Sequence, residues 1–358
     1  MTFGNYPISG EVFLAGYAIS LVFSFVLTWI LVKTIRQRNP FTRLLNRLPI
    51  SAGKNVSPFG GIAVILSFLI TLWAFYFLGG VQEEHRQLFV VLTVGVFLMF
   101  CLGLYDDIYH CSPRVKLLCQ TIIAISMYFL GFQIESIGDL IELKHFSIFL
   151  TVIWIVGITN SLNLIDGMDG LASGVIFLSC LTLSLVYMER NLIEASFLAV
   201  VLAGSTLGFL VFNFPPARII LGDTGSLPIG LLVSLITLLP LNQGHTDEIY
   251  YLLPVITLIL PITDTTFAFL RRMLKGISPF SKDTEHFHHR LHKLGLSPIG
   301  SIAVLFVVCL YFDLTALVPA YDIHLIPKLI PIYFIFVLGN ILILVRVLRY
   351  LENRNRHE

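Results

Sequence analysis

Eleven apolar runs of 15 to 21 residues, each bounded by polar or turn-forming residues, leave this chain few ways to fold. They are Val12 to Val32, Gly61 to Leu78, Leu88 to Leu104, Val115 to Phe132, Phe146 to Leu162, Leu171 to Met188, Ala195 to Phe212, Leu227 to Leu241, Tyr250 to Leu270, Ile299 to Pro319 and Leu329 to Val345. A helix that crosses a bilayer takes about 20 mainly apolar residues, and fewer where neighbours shield a polar end. The runs therefore predict an all-α, polytopic integral membrane protein with about 11 transmembrane helices. Composition agrees: 56% of the residues are hydrophobic and 13% charged, against about half and a quarter in soluble domains. The first run lacks a basic leader and is too long for a signal-peptide core, so it is expected to stay as a helix. The five cysteines form no CxxC pair and mostly lie in apolar runs, where they read as reduced packing residues. Residues 1–358 read as one transmembrane domain, with a basic, membrane-surface tail over 346–358.

Orientation follows from the basic residues, which gather on the cytoplasmic side of membrane proteins. Summed over alternate connections, one side holds 19 Lys and Arg and the other 4. The first side is predicted to be cytoplasmic, with the N-terminus outside and the C-terminus inside. The Lys33 to Lys54 run is then positive-inside signal, with lipid head-group contact as the lesser alternative.

With that topology the polar motifs share one face. The third run leads into Asp106-Asp107, and the fourth carries Lys116 and Gln120, four apart on one helix face. Between the fifth and sixth lies Asn160-Ser-Leu-Asn163-Leu-Ile-Asp166-Gly-Met-Asp169-Gly-Leu-Ala-Ser-Gly174. The seventh and eighth are joined by a segment from Asn213 to Ser226 that places Asp223 at a helix start. The ninth carries Asp264 and leads to His286-Phe-His288-His289-Arg290. Carboxylates and amides at a membrane edge are costly, and so are functional candidates. Mg²⁺ takes one or two carboxylates and completes its shell with water and substrate phosphates, while basic side chains and helix N-termini neutralise the remaining phosphate charge. The set suits a divalent cation and a phosphorylated substrate at the cytoplasmic face. Imidazoles four apart also make a zinc pair, but no cysteine or fourth ligand lies near them in sequence. Asp264 either joins the site or pairs with Arg271 or Arg272. Asp313, inside the tenth run, reads as a buried hydrogen-bonding group.

In order, Asp106-Asp107, the Lys116/Gln120 pair, Asn160-x-x-Asn163-x-x-Asp166-Gly-x-Asp169-Gly-Leu-Ala, Gly222-Asp223-x-Gly225-Ser226 and His286-x-His288-His289-Arg290 resemble the motif series of the polyprenyl-phosphate N-acetylhexosamine-1-phosphate transferases. The His-x-His-His-Arg-Leu form, with Asp264-Thr before it, is closer to the branch that transfers N-acetylglucosamine phosphate. Pro58-Phe59-Gly60-Gly61 is one residue shorter than the family's Pro-x-x-Gly-Gly. The resemblance implies a Mg²⁺-dependent (alternatively Mn²⁺-dependent) enzyme of the bacterial inner membrane. It would pass a sugar 1-phosphate from a UDP-sugar to polyprenyl (undecaprenyl) phosphate, release UMP and initiate a cell-surface polysaccharide. It also implies Asp223, Asp106 and Asp107 as catalytic and metal-binding groups. Lys116, Asn160, Asn163, Asp166, Asp169, Asn213, His286, His288, His289 and Arg290 would bind substrate. The sugar is expected to be N-acetylglucosamine, with UDP-MurNAc-pentapeptide or another UDP-amino sugar as the alternative. Besides donor and acceptor, the expected partners are membrane lipids and, as an alternative to a monomer, a second copy of the chain; nucleic acid is not expected.

Rival classes fit less well. An intramembrane aspartyl protease needs a Gly-x-Gly-Asp element, and Ile220 stands where its first glycine would be. A CDP-alcohol phosphotransferase needs an arginine and further spaced aspartates after Asp169-Gly170, where the chain reads Leu-Ala-Ser. A transporter would carry inverted repeats and midplane charges, but the charges here gather on one face.

Overall fold

The computed structural model describes residues 2–3, 6–7, 10–36, 56–78, 85–138, 141–245, 247, 249–276, 278 and 286–321. Inside a bilayer every backbone N–H and C=O must find its partner within the protein, which favours helix wherever the chain is apolar. The described residues form α1 (Gly10–Arg36), α2 (Gly61–Phe77), α3 (Arg86–Tyr109), α4 (Pro113–Phe129), α5 (Phe146–Ile165), α6 (Leu171–Glu189), α7 (Ile193–Asn213), α8 (Asp223–Asn242), α9 (Ile249–Thr257), α10 (Ile259–Leu274), α11 (Phe287–Lys293) and α12 (Pro298–Tyr321). Two tiny hairpins depart from the all-α expectation, β1 (Thr2–Phe3) with β2 (Tyr6–Pro7) and β3 (Ser136–Ile137) with β4 (Ile141–Glu142).

The expectation of 11 crossings is met only in part. Helices stand at ten of the apolar runs, and the run from Leu329 to Val345 and the basic tail lie outside the described residues. Seven helices (α1, α3, α5, α6, α7, α8 and α12) are long and apolar enough to cross a membrane, and α9 with α10 makes an eighth if the pair is one span. At 17 residues each, α2 and α4 are shorter.

The ninth run is not one straight helix: α9 and α10 meet at a 76° bend. Pro261 has no N–H to give the carbonyl four residues back, that of Thr257, and proline at such a place kinks a helix. The freed carbonyl is not left bare. Ser179 on α6 donates its hydroxyl to Thr257 O at 2.7 Å, deep in the bundle.

Helix α8 forms the axis. Nearly all of its residues are buried, and α2, α3, α5 and α7 pack around it. At the edge, α1 lies on α7 and α2 and turns Phe23, Trp29 and Ile30 outward, as a lipid-facing helix does. Because the chain runs up and down, α3, α5 and α7 end, and α4, α6 and α8 begin, at the same end of the bundle. The polar motifs from Asp106 to Ser226 fall at those ends, and His286 to Arg290 stand at the start of α11.

Candidate active site at one end of the bundle

Local sequence sets each helix end. Helix α3 stops where His110 takes a left-handed conformation (φ 54°), and the chain turns back so that Cys111 N donates to Asp106 Oδ1 at 2.7 Å. Ser112 then caps α4, with Pro113 at its first position, where a missing N–H costs nothing. This tight reversal brings Lys116 opposite Asp106. Helix α8 starts at Gly222, whose φ of +69° suits glycine and where a Cβ would lie 2.0 Å from Pro58 O. The Ser57-to-Gly61 segment is zipped to this start by Ile220 N to Ser57 O, Gly60 N to Ile220 O and Gly61 N to Leu221 O, each 2.9 Å. The short Pro-x-Gly-Gly variant is thus a seat for α8.

Four groups converge at the centre. Lys116 Nζ donates to Asp106 Oδ2 at 2.9 Å, to Asp223 Oδ2 and to Asn163 Oδ1 at 3.4 Å. Asn163 Nδ2 donates to Asp223 Oδ1 at 2.7 Å and to Ser226 Oγ at 2.8 Å. Asp106, Lys116, Asn163 and Asp223, from α3, α4, α5 and α8, therefore form one hydrogen-bonded cluster in which two carboxylate oxygens meet a single cation.

The other sequence-selected residues stand around it. Asp107 accepts from Asp223 N (3.0 Å), Thr224 N (2.8 Å) and Thr224 Oγ1, and so caps α8 from outside it. Asp166 ends α5 and accepts from the Gly222 N–H. Burial, aided by the charges of Asp223 and Asp107, pushes its carboxyl well above the usual range. Asp169 accepts from Ala217 N at 3.2 Å. Asn213, 1% exposed, accepts from Gly170 N and Ser173 Oγ and donates to Ile219 O, which ties the two site loops together from below. Asn160 donates to Gln120 Oε1 at 2.7 Å. His286 stands on the far wall with Asp264. His288 and His289 belong to α11, but their side chains lie outside the described residues. Arg290 is half-buried in the same helix.

The cluster opens on a cavity of about 770 Å³. Asp106, Lys116, Asn160, Asn163, Arg272 and His286 supply its polar end, while Leu150, Ile153, Trp154, Ile262 and Phe269 from α5 and α10 make the rest apolar. Cys111 also borders it. Burial, then Asp106 beside it, push that thiol up to about 11, so it stays protonated and inert at neutral pH. Among the described residues no group of three or more His, Cys, Asp or Glu side chains is arranged to hold a metal.

Sequence reasoning left one residue of this cavity aside and one beside it undecided. Arg272 read as one of many positive-inside residues, although it is 9% exposed and borders the cavity. Asp264, for which a pairing with Arg271 or Arg272 was an alternative, has its carboxylate taken up by His286 and by Phe287 N. An acid inside an apolar run was the signal that singled it out.

A family model of glycosyl transferase family 4 matches residues 89–240. A probable undecaprenyl-phosphate N-acetylglucosaminyl 1-phosphate transferase of Bacillus subtilis is 38% identical over 264 residues, 72% of each chain. An undecaprenyl-phosphate alpha-N-acetylglucosaminyl 1-phosphate transferase of Thermotoga maritima is 32% identical over 67% of this chain and 69% of its own. A phospho-N-acetylmuramoyl-pentapeptide-transferase of Prochlorococcus marinus is 30% identical over 69% of this chain and 73% of its own.

Proposed function

The chain belongs to glycosyl transferase family 4, among its polyprenyl-phosphate N-acetylhexosamine-1-phosphate transferases, and from that membership we propose that it passes N-acetylglucosamine 1-phosphate from UDP-N-acetylglucosamine to undecaprenyl phosphate. UMP leaves, and the lipid-linked sugar starts a cell-surface polysaccharide. The observation that carries this reading is the meeting of Asp106, Lys116, Asn163 and Asp223 at the polar end of a mainly apolar cavity. A phosphate on an isoprenoid tail needs both halves of that arrangement.

A phosphate monoester is mainly a dianion at neutral pH, so the acceptor oxygen is already nucleophilic. It attacks the phosphorus that carries the sugar, and the bond to the UMP oxygen breaks. The protein's work in such a transfer is positioning and charge stabilisation. Asp106 and Asp223, whose Oδ2 atoms converge on one cation, are the residues that would hold Mg²⁺ or Mn²⁺. Two carboxylates are a usual protein share for that ion. When bound, the ion neutralises phosphate charge and acts as a Lewis acid. Lys116 supplies a positive charge at the same point. Asp107 holds Asp223 in place through the first turn of α8. Asn163, Asp166 and Asp169 border the donor's side, and Asn213 supports their loops from behind. Asn160, His286, His288, His289 and Arg290 are the remaining substrate contacts. The groove between α5 and α10 takes the prenyl tail. Its mouth is marked by Ile153 and Phe269, 49% and 44% exposed on the outside of the bundle.

The basic residues put this end of the bundle in the cytoplasm of a bacterial cell, with eleven crossings, the N-terminus outside and the C-terminus inside. UDP-MurNAc-pentapeptide is the second reading for the donor, favoured by the 30% identity to the Prochlorococcus transferase.

The test is UMP release by purified protein given undecaprenyl phosphate and a panel of UDP-sugars, with Mg²⁺ and then with EDTA. UMP is expected only with lipid phosphate, metal and UDP-N-acetylglucosamine together. Preference for the pentapeptide donor would move the chain to the other branch. No UMP from folded protein with any donor would overturn the transferase reading.

A further inference from the structure

Asn160 lies on α5 three residues before Asn163, on the same side of the helix, and borders the cavity with it. Its Nδ2 donates to Val156 O at 2.8 Å and to Gln120 Oε1 at 2.7 Å. A backbone carbonyl only accepts, so the bond to Val156 O settles which end of the Asn160 amide is nitrogen. Gln120 must then turn its oxygen toward Asn160, because its own N–H groups there would face those of Nδ2. An amide nitrogen has two hydrogens, and both are spent inside the protein. What Asn160 has left for the cavity is Oδ1, to which no described residue donates. Gln120 points the same way. It is 0% exposed, and among the described residues its Nε2 has no hydrogen-bond partner. A buried donor without a partner is destabilising, so the use of an amide at this place lies in its oxygen.

We propose that Gln120 is a positioning residue for the nucleotide sugar: by holding Nδ2 of Asn160 it leaves Oδ1 as that residue's offer to the cavity, and Oδ1 accepts a hydrogen bond from an O–H or N–H group of the UDP-sugar. This rests on the transferase reading above. The lipid is excluded by its chemistry. A prenyl tail has no polar hydrogen, and a phosphate monoester is mainly a dianion at neutral pH, an acceptor like Oδ1 itself. Sugar hydroxyls, the acetamido N–H and the uracil N–H can all donate. Position agrees, since Asn163, one turn along, stands on the donor's side. The arrangement also works against the wrong partner. With its nitrogen turned to the cavity, Asn160 would draw phosphate away from Lys116 and toward the apolar groove; with its oxygen there, it repels phosphate.

The experiment is a double-mutant cycle in the full-length protein, with Gln120→Met, Asn160→Leu and both together, scored by UMP release with the two KM values measured separately. Each single variant is expected to raise the KM for UDP-N-acetylglucosamine by about 3- to 10-fold, the range of one neutral hydrogen bond, and to leave the KM for undecaprenyl phosphate unmoved. The double variant is expected to be no worse than Asn160→Leu alone, because Gln120 acts only through Asn160. Analogues of the UDP-sugar that lack one O–H or N–H at a time then name the group: the analogue without it should have the same KM with wild type and with Asn160→Leu. An unmoved KM for the UDP-sugar would overturn the proposal, and so would an equal rise for the lipid, losses that multiply, or a set of analogues that all still tell the two proteins apart. If Gln120→Met fails to fold, the analogues decide with wild type and Asn160→Leu alone. Wild-type protein that releases no UMP would count against the transferase reading; the other adverse outcomes, in an active protein, count against this one alone.

Discussion

Asp107 has both oxygens engaged by the first turn of α8, whereas Asp223 Oδ2 meets the movable amine of Lys116. Capping a helix start is worth about 0.5–2 kcal/mol, so Asp107→Ala should lower the melting temperature in detergent and the turnover together. Asp223→Asn should abolish metal-dependent turnover while melting close to wild type. Near-normal activity of Asp223→Asn would remove it from the metal role, and an unchanged melting temperature for Asp107→Ala would remove Asp107 from the cap. Both acids were legible in the sequence, because a carboxylate at a membrane edge needs a reason to be there. Their division of labour was not, because it depends on which oxygen faces the N–H groups of a helix 116 residues away. The same holds for Asn213. Its identity marked it as part of the site, but its burial under two loops makes it a support. For Asp264 the sequence left the site and a pairing with Arg271 or Arg272 both open, because its partner His286 lies 22 residues on, across a turn that no local pattern encodes.

Helix positions were legible at the ten runs that fall among the described residues, since an apolar stretch favours helix. What sequence does not encode is how closely helices approach. A Cβ on Gly103 of α3 would stand 2.1 Å from Asp223 O, and one on Gly61 of α2 would stand 2.2 Å from Gly225 Cα. Both glycines let neighbouring helices touch the backbone of α8 where it presents Asp223, the small-residue contact on which membrane helices rely. Gly103→Val should therefore cost about 1–3 kcal/mol by overpacking and, by displacing Asp223, lower turnover by about 10²-fold, the effect of a 1 Å misplacement. Unfolding followed by tryptophan fluorescence, alongside UMP release, checks both. A variant as active as wild type would show that α8 has room to move. The bend between α9 and α10 was hidden for a related reason. Pro254 and Pro261 stand in the sequence, but the hydroxyl that donates to the freed carbonyl belongs to Ser179 on another helix.

At the scale of the whole molecule, the alternation of helix direction gathers Asp106, Lys116, Asn163 and Asp223 at one end, and the arithmetic of Lys and Arg predicts that end to be cytoplasmic. The gathering at one end was the most legible layer, since it needs only counting of runs. The cavity was not legible, because its walls are ordinary Leu, Ile and Phe residues that sequence cannot tell from lipid-facing ones. Its mouth at Ile153 and Phe269 opens sideways between α5 and α10. On the proposed reading, one reactant would arrive by diffusion in a plane and the other by diffusion in water. For the planar reactant the quantity that sets the rate is its mole fraction among lipids, not its amount per volume. Diluting undecaprenyl phosphate with inert lipid in vesicles, at constant total acceptor and constant UDP-sugar, should slow UMP release in proportion below saturation, and a rate unmoved by that dilution would refute the lateral route. In a cell, such a protein would compete for its acceptor with every other membrane enzyme drawing on the same leaflet, whatever the supply of nucleotide sugar.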